Sequence, residues 1–322
     1  MTITADASAL SSDAPLPMRL HSPEELVQSW SSLDELAESL EELEDDEELK
    51  VERIPHVPEV YLTVRPTGDD SFEVVRRDGP EHGKARGELP DLAATCELVS
   101  DWIAHSGDDG AWRQRCAWTP LQEPPAEELE PLDEEAAEQL AEQLPLMVLT
   151  GFSESYEVAE ELVELLQEEM DDEEACTISH VLPLVDELWI KRLAEQAEWP
   201  EVTEVDRLEE AFEALPDRGV AAETHASCCA RCGSGEMAGV AEDEELEGYV
   251  FSHVQGTEGA IEGRGLYLYF GALNRSKEAD AEIGRRVVEE LRAKGLTVTW
   301  DGDPENAIHL PTLEWRNRLP EG

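Results

Sequence analysis

Three stretches of this chain carry acid and no base: residues 34–48 hold ten Asp or Glu, residues 123–142 nine, and residues 154–174 eleven. A fold cannot bury such runs, because an ionised carboxylate taken out of water without a partner costs several kcal/mol. Each must therefore be the wet face of a one-sided helix or a solvated linker. Residues 264–322 differ, with nine Lys or Arg against ten Asp or Glu. The formal charge of −53, from 77 acidic and 24 basic residues, is thus local, as dedicated acidic segments give and a salt-adapted surface would not. Such a field repels phosphate backbones and anionic bilayers, so direct nucleic-acid binding and membrane binding are not expected. No 18-residue apolar stretch and no secretion-signal pattern occurs, and the expected location is the cytoplasm.

With 322 residues, 40% of them hydrophobic, the chain has room for about two domains. Residues 1–20 are rich in Ser, Ala, Asp and Pro and read as a disordered tail. Ser22-Pro23-Glu24-Glu25 fits a capping box, and Leu26, Trp30, Leu33, Ala37, Leu40 and Leu43 follow at helical spacing. Residues 21–50 are therefore expected as an acidic amphipathic helix, packed on its own protein or docked in a partner's groove. Residues 51–120 read as a small α+β domain: 59–65 and 71–77 alternate around a turn as a hairpin would, and 90–105 is helical. Residues 121–145 form an acidic linker and helix, and 146–204 a helical segment with caps at Ser153 or Ser155 and at Ser179.

From 205 to 322 an α+β domain is expected. Its first helix opens at Thr203 with Asp206 three residues on. Strands are expected at 220–225, 249–253, 266–270, 296–300 and 308–310, with a helix at 279–294. The fold class is α+β: a C-terminal mixed sheet with flanking helices, preceded by a helical segment, plus a small N-terminal α+β unit.

The sharpest chemical feature is His225-x-x-Cys228-Cys229-x-x-Cys232. A Cys-x-x-Cys pair offers two thiolates to one ion, and zinc takes four N or S ligands. Side chains of adjacent residues diverge, so Cys228 and Cys229 are not expected around the same ion together with His225 and Cys232. Cys229 and Cys232 with His253, or with Cys176 or His180, is the more natural set. Arg231 inside the motif would also favour a thiolate for redox chemistry. The cofactor expectation is none, or one zinc ion. A second polar cluster, His253, Gln255, Thr257 and Glu258, ends an apolar strand, with Asp301 as a possible partner; it is either a small-ligand site or a strand end running into a helix capped at Thr257. Phosphate-loop, nucleophile-elbow, zincin and dinucleotide fingerprints are missing.

Ser227-Cys-Cys-Ala-Arg-Cys-Gly233, Gly248-Tyr-Val-Phe-Ser-His253 with Gln255, Thr257 and Glu258, Gly265-Leu-Tyr-Leu-Tyr-Phe-Gly271 and Trp300-Asp-Gly302 occur in this order. Over about residues 145–322 the chain resembles a bacterial, mainly actinobacterial, family of domains of unknown function, with the pattern TCCxxCG, GYVFYHxQDTE, GLYLAYG and WDG. Ser252 and Gly256 depart from it. The resemblance implies a bacterial, soluble, cytoplasmic protein and brings no activity with it. The leading functional expectation is a non-catalytic interaction or regulatory module whose acidic segments face a basic protein surface. The alternative is a zinc-binding or thiol-redox protein using His225, Cys228, Cys229 and Cys232.

Overall fold

The computed structural model describes residues 14–24, 26–68, 70–79, 83–105, 110–122, 129–172 and 175–320. They divide into two compact units. One runs to Leu144 and takes in residues 154–190 and Pro320, and the other consists of residues 145–153 and 191–319.

The first unit is built on β1 (Met18–His21), β2 (Val27–Ser29), α1 (Leu33–Glu41), β3 (Leu49–Arg53), β4 (Val60–Pro66), β5 (Phe72–Asp78), β6 (Ala85–Leu89), α2 (Leu92–Ala104) and β7 (Thr119–Pro120). The sheet runs β2-β1-β3-β4-β5-β6-β7, with every neighbouring pair antiparallel. The expected hairpin forms, with Val60 opposite Asp78 and Pro66 opposite Phe72. Strand alternation turns Leu62, Val64 and Val74 inward against Leu36 and Leu40 of α1 and Leu98, Val99 and Trp102 of α2.

The helix expected from Ser22 does not form there. Instead β1 and β2 pair antiparallel, and in the turn between them the Ser22 hydroxyl accepts from the Leu26 amide at 3.2 Å. Trp30, at φ 61°, stands outside helical space. The helix begins at Leu33: the Ser32 hydroxyl accepts from the Glu35 amide, and the Glu35 carboxylate accepts from the Ser32 amide. The winning force is tertiary, since Met18 and Leu20 are buried in the sheet core, which requires a strand at their position. Of the expected disordered tail, residues 1–13 lie outside the described residues, while Met18–Leu20 belongs to the sheet.

Three helices follow, α3 (Glu134–Thr150), α4 (Ser155–Met170) and α5 (Ile178–Gln196). α3 continues through Pro145 beyond its expected end, and the cap of α4 is Glu154 rather than Ser153 or Ser155. α4 buries Val158, Ala159, Leu162 and Leu166 and leaves its acids outward. Within the first unit an ionic network lies out of water. Arg19 donates to Asp186 at 2.7 Å and to the Ser29 hydroxyl at 3.1 Å. The His56 amide donates to the other Asp186 oxygen at 2.7 Å, and one oxygen of Glu52 meets both His21 and His56 at 3.1 Å.

The second unit holds α6 (Glu204–Ala214), β8 (Val220–Glu223), α7 (Ala230–Asp243), β9 (Gly248–Phe251), α8 (Val254–Ile261), β10 (Leu266–Ala272), α9 (Lys277–Ala293) and β11 (Ile308–Leu310). The sheet order is β11-β10-β9-β8; β8 and β9 are parallel and the other pairs antiparallel, so the sheet is mixed. α6 carries the expected Thr203/Asp206 capping box. Of the strand expected at 296–300, only a bridge between Thr299 and His309 forms. There the Trp300 indole donates to the carbonyls of Asp303 and Asn306 and turns the chain away. Val250, Leu266 and Leu268 meet Leu208 and Phe212 of α6 and Val287 and Leu291 of α9 in one core. Among the described residues no helix is long and apolar enough to cross a membrane.

Candidate functional site

Parallel strands cannot be joined by a hairpin, so the chain between β8 and β9 must cross over, and α7 is that crossover. Because Glu223 lies opposite Phe251, both strands end at one edge, each in a loop that enters a helix. The edge beyond the carboxyl ends of parallel strands is where open sheets place their sites. The loops are stitched together. The Ser252 amide donates to the Glu223 carbonyl at 3.2 Å, the His225 amide to the Ser252 hydroxyl at 2.9 Å, and the Val254 amide to the Ser227 carbonyl at 3.1 Å. The Ser252 hydroxyl thus ties the loop after β9 to the loop after β8.

Cys229 is the N-cap residue of α7 and Cys232 stands one turn along. The sulfurs of Cys228, Cys229 and Cys232 all lie within 4.8 Å of one another. The expected divergence of the adjacent pair therefore does not hold. Around the trio the backbone is left-handed at Ser227 (φ 59°), extended at Cys229 (φ −156°) and helical from Ala230. Cys228 and Cys232 are exposed and Cys229 is half-buried.

The helix end acts on Cys229. No side chain closes the α7 cap with a full hydrogen bond, yet the amides of Cys232 and Arg231 face the Cys229 sulfur closely enough to lower its pKa, assisted by the two neighbouring thiols. The Cys228 and Cys229 thiols in turn push Cys232 up to about 11. The other cysteines are different: burial raises Cys96 to about 11 and also raises Cys116 and Cys176. All six cysteines are free.

Neither expected histidine joins the sulfur group. His225 stacks on Phe152 with ring centroids 4.7 Å apart; its Nδ1 is buried without a partner, and burial lowers its pKa. His253 is the N-cap of α8, where its Nδ1 accepts from the Gly256 amide at 3.1 Å, and it stacks on Tyr269. Burial lowers its pKa against the opposing charge of Glu258. Cys176 and His180 belong to the first unit. There the His180 ring accepts from the Thr177 amide and donates to the Glu130 carbonyl.

The second polar cluster is rearranged by the early end of β9. α8 starts at Val254, capped by His253 and not by Thr257, so strand alternation does not govern Gln255 and Thr257. Gln255 is exposed, Glu258 is half-buried, and Thr257 is buried with its hydroxyl unpartnered. Asp301 is spent on its own turn, accepting from the Asp303 amide and the Asn306 side chain, and both bonds lower its pKa.

What this edge offers chemically is three soft ligands at the positive end of a helix, on the surface. No curated protein and no solved structure matches the chain. A family model does: a domain of unknown function (DUF6891) matches residues 133–319, a span that includes the whole β8–α7–β9 edge and more than half of the chain, and the protein belongs to that family.

Proposed function

We propose that the protein is a non-catalytic module that holds one thiophilic metal ion, zinc in the first instance, through Cys228, Cys229 and Cys232. The observation that carries this reading is the convergence of three sulfurs within 4.8 Å at the start of α7. Amides at the helix start favour, at Cys229, the thiolate form that a metal needs. Structural zinc sites are closed by four protein ligands, whereas this trio is exposed and leaves a coordination position for a ligand from elsewhere. Binding and handing on a metal, or sensing it, fits an open site better than stapling a fold. Six free thiols suit a reducing compartment, and we take the setting to be bacterial cytoplasm.

Elemental analysis of protein purified without metal or tag histidines tests the reading. One zinc per chain, lost in Cys229→Ser with Cys232→Ser and kept in Cys96→Ser, is the expected result. No bound metal after zinc titration, with six thiols titrating freely, would remove it. Fewer than six thiols in denaturant before reduction would point to disulfide chemistry instead.

The acidic segments support a second reading, the docking of a basic partner segment. Beside α1 a cavity of about 470 Å³ is lined by Leu20, Leu26 and Leu43 together with Glu35, Glu38 and Glu42, and Leu26 is 64% exposed. A peptide alternating Arg and Leu should bind there with an affinity that falls as salt rises. Binding that ignores salt, or that survives Glu38→Lys with Glu42→Lys, counts against it.

A further inference from the structure

We infer that the second unit carries an oxyanion-binding site, built on Arg192 and Arg316, that takes the carboxylate or phosphate group of a small molecule. It lies in a cavity of about 480 Å³ lined by the last turns of α5, the end of α8 and the segment after β11, with Arg192, Glu195, Trp199, Leu313, Trp315 and Arg316 among its walls.

The case rests on how poorly Arg192 is compensated. It is 8% exposed, yet its guanidinium finds only two acceptors among the described residues, both at the long limit. These are the Trp315 carbonyl at 3.3 Å and the Glu195 carboxylate at 3.4 Å. Its Nε is buried with no partner at all. A guanidinium has five N–H donors in a planar fork, and a buried one with this few acceptors is a charge that the fold has not neutralised. Its face rests on Trp199, 4.4 Å from the ring centre, which holds the fork in place.

A second guanidinium stands in the same wall and a third lies close by. Arg316 lines the same cavity, and Arg318 reaches over Trp199 while donating to the carbonyls of Pro200 and Glu201. The two acids on the wall do not cancel this. Glu314 pairs with Arg316 at 2.8 Å and Glu195 meets Arg192 at 3.4 Å, but these two carboxylate side chains are 66% and 48% exposed, so water screens their charge while Arg192 stays buried. In a chain of net charge −53 the general field repels anions. A saturable anion site therefore has to be made by local geometry, and a bidentate oxyanion is what a guanidinium fork matches best.

The experiment is calorimetric titration of the full chain with inorganic phosphate and, separately, malonate, with sodium chloride at equal ionic strength as the control. Melting temperature is followed in each. Saturable binding of either oxyanion, with a rise in melting temperature that chloride does not give, is expected. Arg316→Gln, a surface change, should weaken binding about tenfold. Arg192→Met should abolish binding and, in anion-free buffer, melt no lower than the parent, because an apolar side chain replaces a buried charge with only two long contacts. Phosphate binding without malonate binding assigns the site to phosphate esters, and the reverse to carboxylates. Absence of saturable binding by both, or binding unchanged in both variants, would overturn the inference, as would an Arg192→Met protein that melts well below the parent while Arg316→Gln binds normally.

Discussion

Arg19 and Asp186, 167 positions apart in the chain, meet at 2.7 Å with neither side chain exposed to water. The contact joins β1 to α5 inside the first unit, and the Ser29 hydroxyl and the His56 amide fill further hydrogen-bonding positions of the pair. Removing one member leaves the other buried and charged. Asp186→Ala should lower unfolding stability by about 3–5 kcal/mol, whereas Arg19→Met with Asp186→Leu should recover much of that loss. Urea denaturation of the three proteins decides it, and a double variant as unstable as the single one would show that the charges themselves are needed.

Glu52 gives the same network a pH dependence. Burial alone would raise its pKa, but hydrogen bonds from His21 and His56 and the charge of Lys50 outweigh burial and hold the carboxyl far below its ordinary value of 4.5. A group whose folded pKa is depressed contributes stability above its unfolded pKa and loses it as pH falls further. Glu52→Gln should therefore cost stability near neutrality, and the gap to the parent should close as pH drops below about 4.5. A gap that stays constant across that range in a denaturation series would refute the assignment.

Thiol reactivity should rank by environment. Near neutral pH a slight excess of iodoacetamide should label Cys229 well before Cys232, which is pushed up to about 11, and before Cys96, Cys116 and Cys176, which burial raises. Peptide mapping by mass spectrometry reads the order. Equal labelling of Cys229 and Cys232 would remove the helix-end effect.

Gly233 couples the sulfur trio to the sheet. A Cβ there would run into the ring of Phe251, which is fully buried on β9. Gly233→Ala should destabilise the second unit by about 1–3 kcal/mol and displace the start of α7. If zinc is bound, its affinity should fall with it. Gly235→Ala, with open space around the new methyl, is the control, and an equal effect in both would argue against the contact.

Much of this fold could be read from local signals, and the failures share a cause. Thr203 and Asp206 marked the cap of α6, and strict alternation marked β4 and β5, because neighbours in sequence decide both. Ser22 and Ser32 each head a Ser-x-x-Glu signature, and only the burial of Met18 and Leu20 by long-range pairing selects the second. α7 has three glycines, Gly233, Gly235 and Gly239, a poor helical sequence that is helical because parallel β8 and β9 require a crossover. The three cysteines were visible as a motif. Their convergence was not, since it follows from how the chain enters α7 through a left-handed Ser227 and an extended Cys229. Arg192 and Trp199 belong to no motif, and only the cavity shows that they share a wall.

The Arg19–Asp186 pair also separates two meanings of the word domain. Asp186 lies within the family's span of residues 133–319, and Arg19 lies outside it. A relative that keeps the aspartate but lacks this N-terminal strand must supply another cation or bury a bare carboxylate. What recurs as a family and what closes as a folded unit therefore have different borders in this chain, and a fragment cut at the family's border would leave half of an ion pair behind.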